Sequence, residues 1–207
     1  MKKSLLALIF AVALAVPAMA ENMWVGGSFG YSSQNDSYYG GDEKYSSTSW
    51  EIEPEFGYSL NEKWDIGLDL AYASKQGVNE ILGVKIPFTS SVQIDTKEFG
   101  IAPFARYHVA QIAGIDVMLK GSIFYASGEA KDTYGDKVDY TAYGVSIAPV
   151  ISYSINETWS IGATLNFAEL SFTHVEFDQY GYKPKADNFG FNLNDGSLIN
   201  IGFSYHF

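Results

Sequence analysis

The chain has 207 residues, 16% of them aromatic, with 20 glycines, no cysteine and a formal net charge of −11. That acidity, with no basic run to offset it, excludes a nucleic-acid partner. The absence of cysteine excludes a disulfide framework and an acylated lipoprotein N-terminus, and the aromatic and glycine content favours many short strands over helices.

At the N-terminus, Lys2 and Lys3 precede an apolar run from Leu5 to Val16 that ends at Ala18-Met19-Ala20, the three regions of a secretory signal peptide. The run is shorter than the roughly 20 residues of a transmembrane helix. Cleavage is therefore expected after Ala20, giving a signal peptide over 1–20 and one domain over 21–207. Loss of Lys2 and Lys3 takes the mature charge to −13. No later stretch is long and apolar enough for a spanning helix, and the remaining way to satisfy a backbone in lipid is a closed β-barrel.

A first strand is expected near 23–32. A repeat then supplies most of the topology. The segment from Pro54 to Gly67 aligns without a gap with that from Pro149 to Gly162, each an alternating strand, a short polar turn (Asn61-Glu62-Lys63 or Asn156-Glu157-Thr158) and a restart at Trp64 or Trp159. Between them, Pro103 to Tyr107 keeps the spacing and leads through a turn around Gln111 to Gly114 into a weaker third copy. Three hairpins and the terminal strands make eight strands with both ends on one side. The connections on that side are short. Those on the other side are long and polar, near 33–47, 74–92, 128–140 and 173–197, the asymmetry of periplasmic turns and extracellular loops.

The apolar faces run from one aromatic to another eight positions on: Trp50 to Tyr58, Trp64 to Tyr72, and Trp159 to Phe167. At about 3.3 Å per residue and a tilt near 40°, this is roughly 20 Å of height, the scale of the aromatic girdles of a membrane barrel. The opposite face carries Glu51, Glu53, Glu55, Asp65 and Asp69, and on the next pair of strands Glu98, Arg106, His108 and Lys120. Elsewhere it carries Gly, Ala and Ser, as at Ala142, Gly144, Ser146, Ala148 and Ser152. Two readings of the charges stand: a cation path, or a structural plug in which Arg106 and Lys120 bridge the acidic wall, and the narrowness of an eight-stranded lumen favours the plug. Pro54, Pro103 and Pro149 all fall in the lipid-facing phase, where each forfeits a ladder bond unless a bulge absorbs it.

Near the outer rim, His174 with Ser171, Thr173 and Glu176 offers the residue types of a nucleophile–base pair. Lipid A deacylases place Ser two residues after the histidine, where this chain has Glu176, so no catalytic role is assigned. Tyr, Gly and Asp in 36–43 and 180–182 suit an adaptable contact surface. The run 192–196 lacks the spacing and distal Glu of a calcium loop, and no metal or cofactor is expected.

The last strand, 198–207, alternates strictly and ends on an aromatic. Its Asn200, Gly202, Tyr205 and Phe207 resemble the C-terminal assembly signal of bacterial outer-membrane barrels. With the hairpin repeats, residues 21–207 resemble small outer-membrane proteins of the OmpA-barrel and OmpX-like type. The resemblance implies an eight-stranded antiparallel up-and-down transmembrane barrel in the bacterial outer membrane, all-β, with mobile surface loops. It implies as partners the outer-membrane lipid and lipopolysaccharide, the barrel-assembly machinery and a host or surface ligand held by the loops. The expected role is non-enzymatic, structural or adhesive, without the periplasmic anchoring domain of longer relatives; a lipid-modifying enzyme and a small-solute channel are the alternatives.

Overall fold

The computed structural model describes residues 22–37, 44–78, 80–81, 84–85, 94–132, 136–165, 169–178, 183–192 and 199–207. The expected signal peptide, Phe167 and the tips of the long connections lie outside them. The described strands are β1 Met23–Ser37, β2 Lys44–Asn61, β3 Trp64–Val78, β4 Glu80–Ile81, β5 Val84–Lys85, β6 Ile94–Ile112, β7 Ile115–Asp132, β8 Lys137–Ser154, β9 Trp159–Leu165, β10 Glu169–Asp178, β11 Lys185–Asn192 and β12 Ile199–His206. No helix among the described residues is long and apolar enough to cross a membrane.

The strands close into an antiparallel up-and-down barrel. Among the described residues, β4 and β5 pair only with each other. β9 and β10 are the lower and upper parts of one stave, because both pair with β8, and β12 and β11 continue one another beside them in the same way. Eight staves result. The ring shuts where β12 pairs with β1, from Trp24 opposite His206 to Phe29 opposite Ile201.

The three short turns have local causes. The Asn61 side-chain oxygen accepts bonds from the amides of Lys63 and Trp64 at 2.9 and 3.1 Å. The Asn156 oxygen does the same for Thr158 and Trp159 at 2.9 and 2.8 Å, so the two repeats share one Asn-capped turn. The third turn uses backbone conformation instead: Ala113 and Gly114 both take positive φ, 52° and 83°, the pattern of a two-residue hairpin.

Each proline keeps one ladder and interrupts the other. Pro54 pairs with Gly27, while the β2–β3 ladder skips from Ile52 to Glu55. Pro103 pairs with Leu68, while the β6–β7 ladder skips from Ile101 to Phe104. Register is the same on both sides of these two gaps, so no bulge absorbs the missing N–H. Pro149 pairs with Leu119 and stands where β8 exchanges β9 for β10. The prolines thus occupy places where the wall goes without a bond on one side.

The strands are longer than their sequence suggests. Of the expected loops, 33–37, 44–47, 74–78 and 128–132 are strand, and 173–197 contains most of β10 and all of β11. The polar outward residues there, such as Glu129, Asp139 and Glu176, imitate loop composition. They alternate, however, with buried apolar residues, because the wall continues into water with its core inside.

Candidate functional site

The outer wall is divided by rings of aromatics. Every stave carries an outward aromatic at the upper ring: Tyr31, Trp50, Tyr72, Phe99, Tyr125, Tyr143, Phe172 and Phe189. They stand as cross-strand neighbours in pairs, Tyr31 opposite Trp50, Tyr72 opposite Phe99, Tyr125 opposite Tyr143 and Phe172 opposite Phe189. Between pairs the ring steps down two residues, as tilted strands require. The lower ring holds Tyr58, Trp64, Tyr107, Tyr153, Trp159 and Tyr205, with Trp64 packed on Tyr107 at 4.9 Å and Trp159 on Tyr205 at 5.1 Å. Between the rings, Ile52, Ile66, Ile101, Ile123, Val145, Ile147, Ile201 and Phe203 are exposed, as a lipid-facing band requires.

Inside the band, four charged side chains form one cluster. Lys120 lies 2.7 Å from Glu55 and 2.6 Å from Asp69, and Arg106 donates to the same Glu55 oxygen. His108 meets Asp65 at 2.9 Å. Glu53 accepts a bond from Ser28 at 3.0 Å, and Glu51 lies two residues along on the same face. Among the described residues, Asp69 Oδ1 and Arg106 Nε are buried without a hydrogen-bond partner. Both residues line a cavity of about 60 Å³ with Ser28, Glu53, Glu55 and Ser152. That volume holds on the order of four waters, which could satisfy the two orphan atoms.

The small inward residues are sockets, a role their sequence pattern does not disclose. A Cβ at Gly57 would stand 2.1 Å from the Trp24 ring, one at Gly67 2.3 Å from Phe104, and one at Gly144 2.7 Å from Phe124. Trp24 and Phe104 pack at 6.2 Å, and the Arg106 guanidinium lies 4.7 and 4.8 Å from their ring centroids. Aromatic rings lying over glycines therefore fill much of a lumen that reads as narrow and polar.

Above the upper ring the wall inverts. Inward, Ile94, Ala126, Ala130, Val138, Tyr140, Ala142, Val175 and Phe177 form one buried apolar cluster, with Thr96, Glu98 and Thr173 beside it. Outward residues become charged. Glu129, above the membrane band, bonds Lys137 at 2.9 Å, and this bond, with Lys97 and Lys131 nearby, holds its carboxyl below the usual range. Lys185 bonds Glu176, lowering the Glu176 pKa and raising its own.

His174 lies on this outer wall, in β10 and not in a loop. Its Nδ1 is 2.6 Å from Asp187, its Nε2 is 3.4 Å from Glu176, and its ring packs on Tyr143 at 4.9 Å. Ser171 and Thr173 sit an odd number of positions away and face inward, with Thr173 buried. The strand thus separates both hydroxyls from the imidazole, and these residues do not assemble a nucleophile–base pair. At the other end, His206 Nε2 is 2.9 Å from Ser160, which also bonds Ser204 at 2.8 Å, while Tyr205 packs on Phe207 at 5.0 Å.

The sequence profile of the outer membrane protein beta-barrel domain matches residues 4–207. The chain belongs to that family. Among curated proteins none matches it in sequence. Among solved structures the barrel is similar to Neisserial surface protein A, at 10% identity and a TM-score of 0.46 over 91% of this chain and 98% of that one. It is similar to Ail, the attachment invasion locus protein of Yersinia pestis, at 9% and 0.43 over 91% and 100%. It is also similar to the N-terminal barrel domain of Pseudomonas aeruginosa OprF, at 10% and 0.38 over 91% and 100%. These are likenesses of fold alone.

Proposed function

We propose that this outer-membrane barrel is a non-enzymatic surface protein with a structural or adhesive role exercised through its extracellular end. The observation that carries this reading is the inversion of the wall above the upper ring. From Tyr125 to Asp132 the described strand β7 rises a further 18 Å or so at about 3.3 Å per residue and a 40° tilt. A wall that is charged outside and packed inside at that height supports a collar that carries the ends of the described strands clear of the lipid. The net charge of −11, or −13 once Lys2 and Lys3 are removed, favours a neutral or cationic surface ligand over a polyanion.

In this reading residues 1–20 are removed after Ala20, and Asn200, Gly202, Tyr205 and Phe207 are the signal taken by the barrel-assembly machinery. Outer-leaflet lipid and lipopolysaccharide then surround the two aromatic rings. The charged lumen is a structural plug, in keeping with the shared contacts of Glu55 and the small cavity beside it. The test compares cells with and without the protein by a surface-binding screen and by mass spectrometry of lipid A. Gain of a surface ligand with lipid A unchanged is the expected result. A change in acyl-chain number that follows the protein would move the role to lipid modification.

A further inference from the structure

The polar and apolar parts of the lumen are stacked, and the order has a consequence for access. Around the cavity the inward groups include the charged Glu53, Glu55, Asp69, Arg106 and Lys120, beside the apolar Met118 and Val150. Higher up, Val138, Tyr140, Ala142, Val175 and Phe177 are at most 7% exposed. Tyr140 lies along the inner wall: its ring covers Gly128, where a Cβ would stand 2.5 Å from it, and packs against Phe177 at 6.4 Å. Its hydroxyl donates to Glu98 at 2.8 Å, and Lys75 holds the other oxygen of Glu98 at 3.5 Å. Among the described residues at that level, Tyr140, Glu98 and Lys75 are therefore tied to one another, with the buried apolar cluster packed beside them.

We propose that this cluster is a hydrophobic seal that isolates the charged chamber at Glu55 and Asp69 from the extracellular medium, with Tyr140 as the residue that fixes it. Between Val138 and Ala142 the apolar layer is about 10 Å thick, and a hydrated ion or polar solute must shed its water to pass such a layer. The strand pairing explains why the seal forms here. Gly128 stands directly opposite Tyr140, so the ring can lie flat across β7 and reach Glu98 on β6, while Phe177 on β10 covers it from the other side.

The chain's lack of cysteine makes the test direct. Ser146, whose hydroxyl bonds Ser122 at 2.8 Å inside the barrel below the seal, is replaced by Cys. The protein is reconstituted in sealed vesicles with the collar outward, and a small charged thiosulfonate is added outside. Ser146→Cys should react at least about a hundredfold more slowly than Glu129→Cys on the outer wall, since a buried core must open first. Adding Tyr140→Ala with Phe177→Ala should speed the Ser146→Cys reaction at least about tenfold, while lipid-facing Leu119→Cys stays unreactive because the wall is intact. Tyr140→Phe keeps the ring and should leave the reaction slow; should the double alanine variant fail to assemble, Val175→Ser replaces it. Fast labelling of Ser146→Cys with the seal intact, or no acceleration once it is cut, overturns the proposal.

Discussion

Leu68→Arg is the perturbation most sensitive to which face meets lipid. Leu68 lies four residues from Trp64 of the lower ring and four from Tyr72 of the upper, so it stands roughly 10 Å from each at about 3.3 Å per residue and a 40° tilt. That places it at the bilayer midplane, where an outward arginine costs about 2–4 kcal/mol. Leu60, also outward and 52% exposed, lies beyond Tyr58 at the lower rim, where the same change costs about 0–1 kcal/mol. The two substitutions are matched in chemistry and differ only in depth, so their difference reports the bilayer and not arginine itself. Reversible urea unfolding in phospholipid vesicles measures it. Equal costs at Leu68 and Leu60 would refute the assigned membrane band, and a neutral Leu68→Arg would refute its facing.

Gly57→Ala should destabilise by about 1–3 kcal/mol because its methyl collides with Trp24, whereas Gly121→Ala, whose Cβ meets nothing within 4 Å, should be close to neutral in the same titration. Lys120→Met leaves Glu55 and Asp69 short of a shared cation and should cost about 3–5 kcal/mol, with a smaller penalty when Asp69→Asn is added. Because its neighbours depress the Glu129 carboxyl, the stability it contributes is present above the ordinary value of 4.5 and is lost as pH falls through the lowered one; Glu129→Gln should differ from wild type at pH 7 and converge with it in acid. Deleting Phe207 should leave folding from denaturant into micelles possible while reducing outer-membrane levels in cells, and normal levels would count against the assembly-signal reading.

The transmembrane part of the fold was legible because lipid imposes a simple rule on it. Trp64, Ile66, Leu68, Leu70 and Tyr72 alternate with Asp65, Gly67 and Asp69, which reads as a strand with one apolar side, and the Gly, Ala and Ser of the opposite face with the short and long connections separate a membrane barrel from a soluble one. Turns at Asn61 and Asn156 were visible for an equally local reason, since an Asn side chain can close the turn unaided. The collar escaped because its rule is reversed. In Lys137-Val138-Asp139-Tyr140 and His174-Val175-Glu176-Phe177 the alternation persists, but the apolar residues point inward, and polar outward residues between hairpins resemble loops. The available signal was the phase of Val138, Tyr140, Val175 and Phe177 relative to the lipid face below them. The sockets at Gly57 and Gly67 were illegible for a different reason. Which aromatic fills a glycine's space depends on cross-strand register, which a single strand does not carry. The same holds for His174: of its sequence neighbours only Glu176 shares its face and touches it, Ser171 and Thr173 face away, and its other contacts, Asp187 and Tyr143, come from adjoining strands.

The central claim is that the barrel crosses the outer membrane with its charged collar at the cell surface, and single-cysteine labelling of intact cells with a bulky, membrane-impermeant maleimide tests it most directly. Glu129→Cys in the collar should be labelled on intact cells. Lys63→Cys in the Asn61 turn should be labelled only after the outer membrane is permeabilised, and Ile123→Cys in the lipid-facing band in neither case. Labelling of Lys63→Cys on intact cells, with Glu129→Cys protected, would contradict the account.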